Sequence, residues 1–220
     1  MATIALIGDS HASHWRAAVD VVAEAKRWRA LSIARTDCPL STAVREIPEP
    51  RRSECVRWRQ ELLAWLAAHP EVTRIFVSQS VAGSVVTAAG ASQFDTRVEG
   101  YRRAWRLVPR SVRRVVVLRD TPRALPTARR WSASRTRCGA RRPAGRACAL
   151  ARSQALRRDP AATAAAPEAP RVRTVDLTQF FCDSRRCLAV VGGALVHRDV
   201  SHMTATFAAT RGPYLLRALA

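Results

Sequence analysis

The tetrapeptide Gly8-Asp9-Ser10-His11 joins the apolar run Thr3 to Ile7 to a helical pattern. In an α/β fold, a serine between a strand and the N-terminus of a helix presents its hydroxyl at the sheet edge where ligands bind. Backbone N–H groups at such a turn can also stabilise a developing oxyanion. The same residues are equally consistent with a Ser or Asp that only caps the helix. Ser10 is therefore a candidate nucleophile, and its assignment depends on finding a base.

A second short segment, Asp199-Val200-Ser201-His202, offers that base. It follows an apparent strand or hairpin, Leu188 to His197, and precedes a last helical pattern. Asp199 can accept a hydrogen bond from the imidazole of His202 and fix its tautomer, so that His202 can take the proton of Ser10. The residues assigned to catalysis are thus Ser10, His202 and Asp199.

The surrounding pattern alternates short apolar runs with longer amphipathic ones, which is typical of an α/β domain with a mostly parallel sheet. The five predicted strands are Thr3–Ile7, Leu31–Ala34, Val72–Ser78, Arg113–Leu118 and Val172–Leu177. The predicted helices are Ser13–Arg29, Ser53–Ala68, Val98–Val108 and a last one from Ser201 to about Thr210, which Pro213 is expected to interrupt.

A chain of 220 residues is long enough to form one domain with its own core, and we expect residues 1–220 to do so. Two stretches, near 120–147 and 159–170, lack apolar periodicity and are predicted to be loop insertions. No apolar run approaches the roughly 20 residues of a membrane-spanning helix, and the N-terminal apolar run is too short for a signal peptide. We expect neither an anchor nor an export signal in the chain as written.

Six cysteines fall into three pairs that are local in sequence: Cys38 with Cys55, Cys138 with Cys148, and Cys182 with Cys187. Local pairing is one of 15 possible connectivities, and it is favoured because each pair brackets a short, turn-rich segment. A zinc site would require closely spaced Cys or Cys/His pairs, which are absent. The cysteines therefore favour disulfides and an oxidising compartment, in conflict with the lack of an export signal.

The formal net charge is +20, from 37 Lys and Arg against 17 Asp and Glu, and all but one of the cations are arginines. Such a charge fits a polyanion partner, either nucleic acid or an acidic envelope polymer. Nucleic acid is disfavoured because no helix-turn-helix, zinc-finger or aromatic RNA-binding signature accompanies the charge. His11 and His14 have a spacing that can bind metal, but the sequence places no third ligand beside them, so we expect no metal and no cofactor.

Taken together, the motifs resemble those of the SGNH (GDSL-like) hydrolase superfamily, which has Gly-Asp-Ser at strand one and Asp-x-x-His near the C-terminus. The resemblance is closer to the SGNH domain fused to membrane acyltransferases of the acyltransferase three family. Five motifs of that family recur here in order: Gly8 to His11, Cys38-Pro39, Asp120-Thr121-Pro122, Cys182 with Cys187, and Arg198 to Thr204.

This resemblance implies a three-layer, flavodoxin-like SGNH fold that lies outside the cytoplasmic membrane and helps to O-acetylate envelope glycans. The expected partners are an acyl donor, a glycan acceptor, and an integral-membrane acyltransferase module that is missing from this chain or encoded separately. Membrane association would come through that N-terminal module. Ser10 would attack an acyl ester, and the acyl-serine would be resolved by a sugar hydroxyl or by water.

The sequence departs from the superfamily where a Gly and an Asn usually complete the oxyanion hole. After strand three it reads Ser78-Gln79-Ser80, so Gln79 or Ser80 would have to substitute for that Asn. Losing one oxyanion donor costs about 100-fold or more in rate. The alternative function is therefore a catalytically weak or inactive SGNH scaffold that binds an anionic glycan or another polyanion. The residues assigned to oxyanion or substrate binding are Gly8, Asp9, His11, Gln79 and Ser80.

Overall fold

The computed structural model describes residues 1–123, 148–166 and 171–219. Its chain divides into two compact units. The first unit comprises Met1–Ser13, Ala23–Asp120 and Asp159–Val175, and the second comprises His14–Val22, Thr121–Arg158 and Asp176–Ala220.

The first unit is built on a five-stranded sheet in which every pairing is parallel. Its strands are β1 (Thr3–Gly8), β2 (Arg29–Ala34), β3 (Val72–Ser78), β4 (Arg114–Leu118) and β6 (Val172–Val175), in the order β2-β1-β3-β4-β6. The predicted α/β class and all five predicted strands are confirmed. The direction in which strands are added reverses between β1 and β3, because β2 lies on one side of β1 and the later strands lie on the other. Ligands of open α/β sheets bind at such a switch point, at the carboxyl ends of the strands.

Three helices pack on one face of this sheet: α3 (Arg51–Ala68), α4 (Gln93–Leu107) and α6 (Pro160–Ala165). Their buried residues, among them Leu66 and Trp105, form one core with Ile7, Ile75 and Val117 of the strands. In β1 and in most of β3 and β4, the residues that point to the opposite face are buried as well, as expected for inner strands of a parallel sheet. Helix α4 begins at an N-cap, Ser92, whose hydroxyl accepts a hydrogen bond from the Asp95 N–H.

The predicted loop at 159–170 is wrong for its first half, because α6 lies there. Asp159 caps this helix by accepting hydrogen bonds from the N–H groups of Ala161 and Ala162, and Pro160 occupies the first turn, where its lack of an N–H costs nothing. Alanines with high helix propensity then pack against the core. Within the other predicted insertion, residues 124–147 lie outside the described part of the chain.

The predicted helix Ser13–Arg29 is replaced by two helices, α1 (Ser10–Ser13) and α2 (Arg16–Lys26). Trp15 lies between them and is buried, so the helix is interrupted where that large side chain packs into a core. Helix α3 begins two residues before its predicted start, and helix α4 begins five residues before its predicted start.

The second unit holds the remaining small elements: β5 (Leu150–Ala151) paired with β7 (Arg186–Cys187), helix α5 (Arg152–Ala155), a 3₁₀ turn (Thr178–Phe180), the strands β8 (Val190–Val191) and β9 (Ala194–Leu195), and helix α7 (Ala205–Ala218). The antiparallel pair β8–β9 confirms the predicted hairpin. Its turn is Gly192-Gly193, both at positive φ, as a two-residue hairpin loop requires.

Two predictions for the last helix are wrong. It begins at Ala205 rather than Ser201, because Thr204 is the N-cap and accepts a hydrogen bond from the Phe207 N–H. It also continues through Pro213. The Arg211 guanidinium lies 4.5 Å from the ring of Phe207 before the proline, and the Tyr214 ring lies 3.9 Å from that of Phe180 after it. Packing on both sides of Pro213 thus offsets the cost of a proline in a helix, about 3 kcal/mol.

Candidate active site

The turn that carries Ser10 depends on Gly8, the last residue of β1. Gly8 has a φ of +148°, and a Cβ atom there would overlap the carbonyl oxygen of Ser78 on β3. Only glycine therefore allows β1 and β3 to approach this closely before the chain turns. Ser10 follows at the start of α1, half-buried, just beyond the carboxyl end of β1.

Asp9 and His11, on either side of Ser10, are fixed by buried hydrogen bonds. Asp9 Oδ1 accepts from the His11 N–H at 2.8 Å, and the Asp9 carboxylate also accepts from the Ser80 N–H at 3.0 Å. His11 Nδ1 lies 2.5 Å from Asp120 Oδ1, just after β4. Burial raises the pKa of Asp9, although the hydrogen bonds and the charge of His11 oppose this effect. The turn is thus tied to the ends of β3 and β4.

The segment after β3 is held in place by three groups of the first unit. The Val81 N–H donates to Asp120 Oδ2 at 2.7 Å, and the Ser80 N–H donates to Asp9. Arg97 of α4 donates to the carbonyl oxygens of Ser80 and Val81, at 2.9 and 2.7 Å. The backbone N–H groups of Ser80 and Val81 are therefore already engaged by carboxylates.

Gln79 differs from its neighbours because its side chain is buried yet makes no hydrogen bond to the described part of the chain. It is 3% exposed, and neither its Oε1 nor its Nε2 has a partner within the described residues. A buried amide without a partner costs free energy, so such a group points to a ligand or a catalytic role. Gln79 follows β3 directly, at the same end of the sheet as the Ser10 turn.

Asp159 fixes the backbone of Asp120 through a hydrogen bond. Its Oδ2 accepts a hydrogen bond from the Asp120 N–H at 2.8 Å, while its Oδ1 caps α6. Burial raises the pKa of Asp159, and the nearby Asp120 carboxylate raises it further, against hydrogen bonds from the backbone. The first unit thus places a chain of buried polar contacts, from Asp159 through Asp120 to His11, beside the candidate nucleophile.

In the second unit, the structure brings together Asp199 and His202 as predicted. His202 Nδ1 lies 2.8 and 3.0 Å from the two Asp199 carboxylate oxygens. Asp199 Oδ1 also accepts from the N–H groups of Ser201 and His202. Partial burial acts to raise the pKa of Asp199, but these hydrogen bonds outweigh it and hold the pKa below its usual value. Because Nδ1 faces a carboxylate, it carries the proton, which leaves Nε2 as the basic atom.

Two further histidines lie near this pair within the second unit. The ring of His14 is 6.0 Å from that of His202, edge to face, and the Met203 N–H lies 3.4 Å from His14 Nδ1. His197 is buried, and its backbone bridges to Met203. The turn that carries His202 is thus held on both sides.

Disulfides join Cys38 to Cys55 and Cys182 to Cys187, which confirms two of the predicted pairs. The third prediction, Cys138 with Cys148, involves Cys138, which lies outside the described residues. The described cysteines include no free thiol. Among the helices of the described ranges, none is long and apolar enough to cross a membrane.

The sequence profile described as "SGNH domain (fused to AT3 domains)" matches residues 1–217. The chain belongs to this family. At the level of the family, membership supports acyl-ester chemistry, meaning O-acetyl transfer or ester hydrolysis, and it implies a membrane acyltransferase module as partner. No curated protein sequence matches this SGNH domain.

Several solved structures share the fold. This SGNH domain is similar to the periplasmic domain of a lipopolysaccharide acetyltransferase from Salmonella ser. Paratyphi A, with a TM-score of 0.72, 11% identity, and coverage of 99% of this chain and 83% of that chain. It is also similar to a GDSL-like lipase from Bacteroides thetaiotaomicron, with a TM-score of 0.50, 11% identity, and coverage of 99% and 87%.

Sequence reasoning missed three polar residues of this SGNH domain. In the sequence, Asp120 stands only as part of a family motif, without a predicted role in the site, although it follows β4 at the same end of the sheet as Ser10, and that position was the available signal. Asp159 was hidden in a predicted loop. Arg97 gave no signal, because its role depends on two carbonyl groups that only the folded chain brings to it.

Proposed function

We propose that this chain is an extracytoplasmic serine O-acyltransferase or esterase that acts on O-acetyl groups of a cell-envelope glycan. Residues 1–220 would form one SGNH-type domain that works with a membrane acyltransferase module. Family membership supports the acyl chemistry, and the disulfides support an oxidising compartment. The acetyltransferase domain that shares the fold favours transfer.

The observation that carries the proposal is the contact of His202 Nδ1 with both oxygens of Asp199. A carboxylate in this position fixes the tautomer in which Nε2 can accept a proton, and it stabilises the imidazolium that then forms. Asp199 is ionised at neutral pH, and hydrogen bonds from Ser201 and His202 hold its pKa below the ordinary value despite partial burial. The pair therefore has the chemistry of a general base.

In the proposed reaction, His202 takes the proton of the Ser10 hydroxyl while Ser10 Oγ attacks the carbonyl carbon of an acyl ester. The ester C–O bond breaks, and His202 returns the proton to the leaving alkoxide. The hydroxyl of a sugar then attacks the acyl-serine, with His202 again taking and returning one proton, and Ser10 is released. Water in place of the sugar gives hydrolysis.

The oxyanion of both steps would be bound by the Ser10 backbone N–H and by the amide of Gln79. Gly8, Asp9 and His11 would shape the turn. The Ser80 N–H is a weaker choice because it already donates to Asp9. Nε2 of Gln79, which has no partner in the described ranges, is the donor best suited to replace the Asn of the superfamily.

Active-site labelling with a fluorophosphonate probe tests this proposal. Oxidised protein is treated with the probe, and the labelled residue is located by peptide mass spectrometry. We expect label on Ser10, none in Ser10→Ala, and a strong decrease in His202→Ala. Ser32→Ala, an exposed serine on β2, is the matched control and should label as the wild type does. Folded protein that shows no label at Ser10 would contradict the proposal that this chain is a serine enzyme.

The second candidate function is a non-catalytic domain that binds an anionic glycan. It is favoured by the engagement of the Ser80 and Val81 N–H groups with carboxylates, which removes two backbone donors from any oxyanion hole. Unlabelled, folded protein that still binds such a glycan would support this candidate.

A further inference from the structure

A cavity of about 580 Å³ lies in the first unit, between α4, the start of α3 and the segments that follow β2 and β3. The proposed catalytic chemistry uses none of its residues. The lining side chains that matter for recognition are Thr42, Arg52, Val86, Thr96, Glu99 and Arg103. The cavity therefore contains hydroxyls, an apolar side chain, two cations and one carboxylate.

One wall of the cavity is closely packed. Gly100 on α4 lies against residues 41–43, and a Cβ atom there would be 2.6 Å from both Ala43 Cβ and Ser41 Oγ. The N–H and the hydroxyl of Thr42 both donate to the Gly100 carbonyl oxygen, at 3.0 and 3.2 Å. These contacts fix the segment after β2 against the helix, so the cavity has a defined shape.

The two arginines are each held through Nε. Arg52 Nε donates to the Ile47 carbonyl oxygen at 3.2 Å, and Arg103 Nε donates to Glu99 Oε1 at 2.9 Å. Within the described residues, the Nη groups of Arg52 and Arg103 make no hydrogen bond. Two guanidinium groups that are positioned through Nε with both Nη groups available can bind a carboxylate or a phosphate in a bidentate manner.

The charges around the cavity are predominantly positive. Hydrogen bonding from Arg103 lowers the pKa of Glu99, with help from Arg106 and Arg102, so Glu99 remains ionised and orients Arg103. Arg52 likewise lies 3.5 Å from Glu49. The lining itself carries two arginines and one carboxylate, Glu99, which leaves one unit of positive charge for an anion.

We propose that this cavity binds a sugar residue of the acceptor glycan through an anionic substituent, either a carboxylate or a phosphate. Arg52 and Arg103 would bind the anion, Thr42 and Thr96 the sugar hydroxyls, and Val86, half-exposed at the rim, the apolar face of the ring. This inference rests on the proposed function, because it names the acceptor of the same reaction.

Binding measurements on the Ser10→Ala protein test this inference without turnover. The probes are trigalacturonic acid for a carboxylate, glucose 6-phosphate for a phosphate, and maltotriose as the neutral sugar, titrated by calorimetry at 150 mM salt. We expect one anionic probe to bind and maltotriose to bind at least tenfold more weakly. The anion that binds identifies the substituent.

A pair of double variants separates the site from the general charge. R52Q/R103Q should weaken binding at least tenfold. R110Q/R113Q removes the same charge at the amino end of β4 and should change the affinity less than twofold. All four side chains lie at the surface, so both proteins should keep the thermal midpoint of the parent. Equal weakening in both variants, or no binding of either anionic probe, would overturn the inference.

Hydrolysis of p-nitrophenyl acetate separates this inference from the proposed function. With Ser10 present, R52Q/R103Q should hydrolyse this small ester within twofold of the wild-type rate. If wild-type protein fails to hydrolyse the ester but binds the anionic probe through Arg52 and Arg103, the enzyme proposal fails and the binding site stands. A loss of hydrolysis in R52Q/R103Q would contradict a role confined to the acceptor.

Discussion

His11 Nδ1 lies 2.5 Å from Asp120 Oδ1, and both side chains are almost fully buried. The residue that follows the candidate nucleophile is thereby tied to the end of β4, 109 positions later in the chain. Asp120 also accepts a hydrogen bond from Val81, after β3. One carboxylate thus aligns two of the segments that form the carboxyl edge of the sheet.

Asp120→Asn is expected to lower the free energy of unfolding by about 1–3 kcal/mol, because two buried donors lose a charged acceptor. The measurement is denaturation by urea at pH 7. Asp37→Asn is the matched control, since Asp37 makes an exposed ion pair with Arg51 and the change should cost less than about 1 kcal/mol. Equal stabilities of the two variants would show that the His11 contact contributes little.

Gln79→Met is expected to separate activity from stability. The Gln79 amide is buried and has no partner within the described residues, so a side chain of similar length without polar atoms should leave stability unchanged or raise it. If the amide is an oxyanion donor, kcat for ester hydrolysis should fall about 100-fold or more.

The measurements for this variant are kcat for p-nitrophenyl acetate and the midpoint of urea denaturation. Ser78→Ala is the control, because Ser78 is adjacent and fully buried, and its hydroxyl likewise has no partner among the residues that the structure describes. It should leave both quantities close to those of the wild type. A Gln79→Met protein that is as active as the wild type would exclude Gln79 from the oxyanion hole.

The sheet could be predicted from sequence because a buried parallel strand is a continuous apolar run, and that signal is local. Both ends of β3 were predicted correctly. The helices were predicted less well, because their ends depend on capping groups and packing. The sequence predicts that Pro213 interrupts the last helix, yet contacts of Arg211 and Tyr214 with aromatic rings let the helix continue.

In the candidate site, too, local contacts could be predicted from the sequence, whereas contacts between distant positions could not. Asp199 and His202 are three residues apart, so their contact could be predicted from spacing alone. The contacts of Asp120 with His11 and of Arg97 with Ser80 join positions far apart in the chain. A single sequence carries no local pattern for such pairs, and only the order of the strands shows which chain segments meet.

Gly8→Ala is expected to destabilise the protein by about 3 kcal/mol or more, because the new Cβ overlaps the Ser78 carbonyl and the positive φ is strained. Gly90→Ala is the matched control: Gly90 also has a positive φ, but a Cβ there meets no atom within 4 Å. It should cost only the backbone strain, about 1–2 kcal/mol. Thermal denaturation of both variants measures the difference, and equal losses would contradict a requirement for close approach of β1 and β3.

Asp199→Asn tests the base and predicts a pH dependence. Hydrogen bonds hold the pKa of Asp199 below its usual value against the effect of partial burial. A lowered pKa in the folded state means that the ionised carboxylate stabilises the protein above the ordinary Asp pKa, about 3.9. This contribution is lost as the pH falls through the lower, folded pKa. The stability advantage of wild type over Asp199→Asn should therefore be present at pH 6 and decrease as the pH falls below the ordinary Asp pKa of about 3.9, as measured by urea denaturation.

Activity distinguishes an orienting role of Asp199 from a structural one. An amide in place of the carboxylate favours the wrong tautomer of His202, so kcat should fall by up to about 10⁴-fold. Asp183→Asn is the matched control, because Asp183 Oδ1 accepts hydrogen bonds from the N–H groups of Arg185 and Arg186 in a similar turn without a histidine. It should lose some stability and keep its activity. A fully active Asp199→Asn protein would mean that His202 does not depend on Asp199 for its orientation, and the base would have to be sought elsewhere.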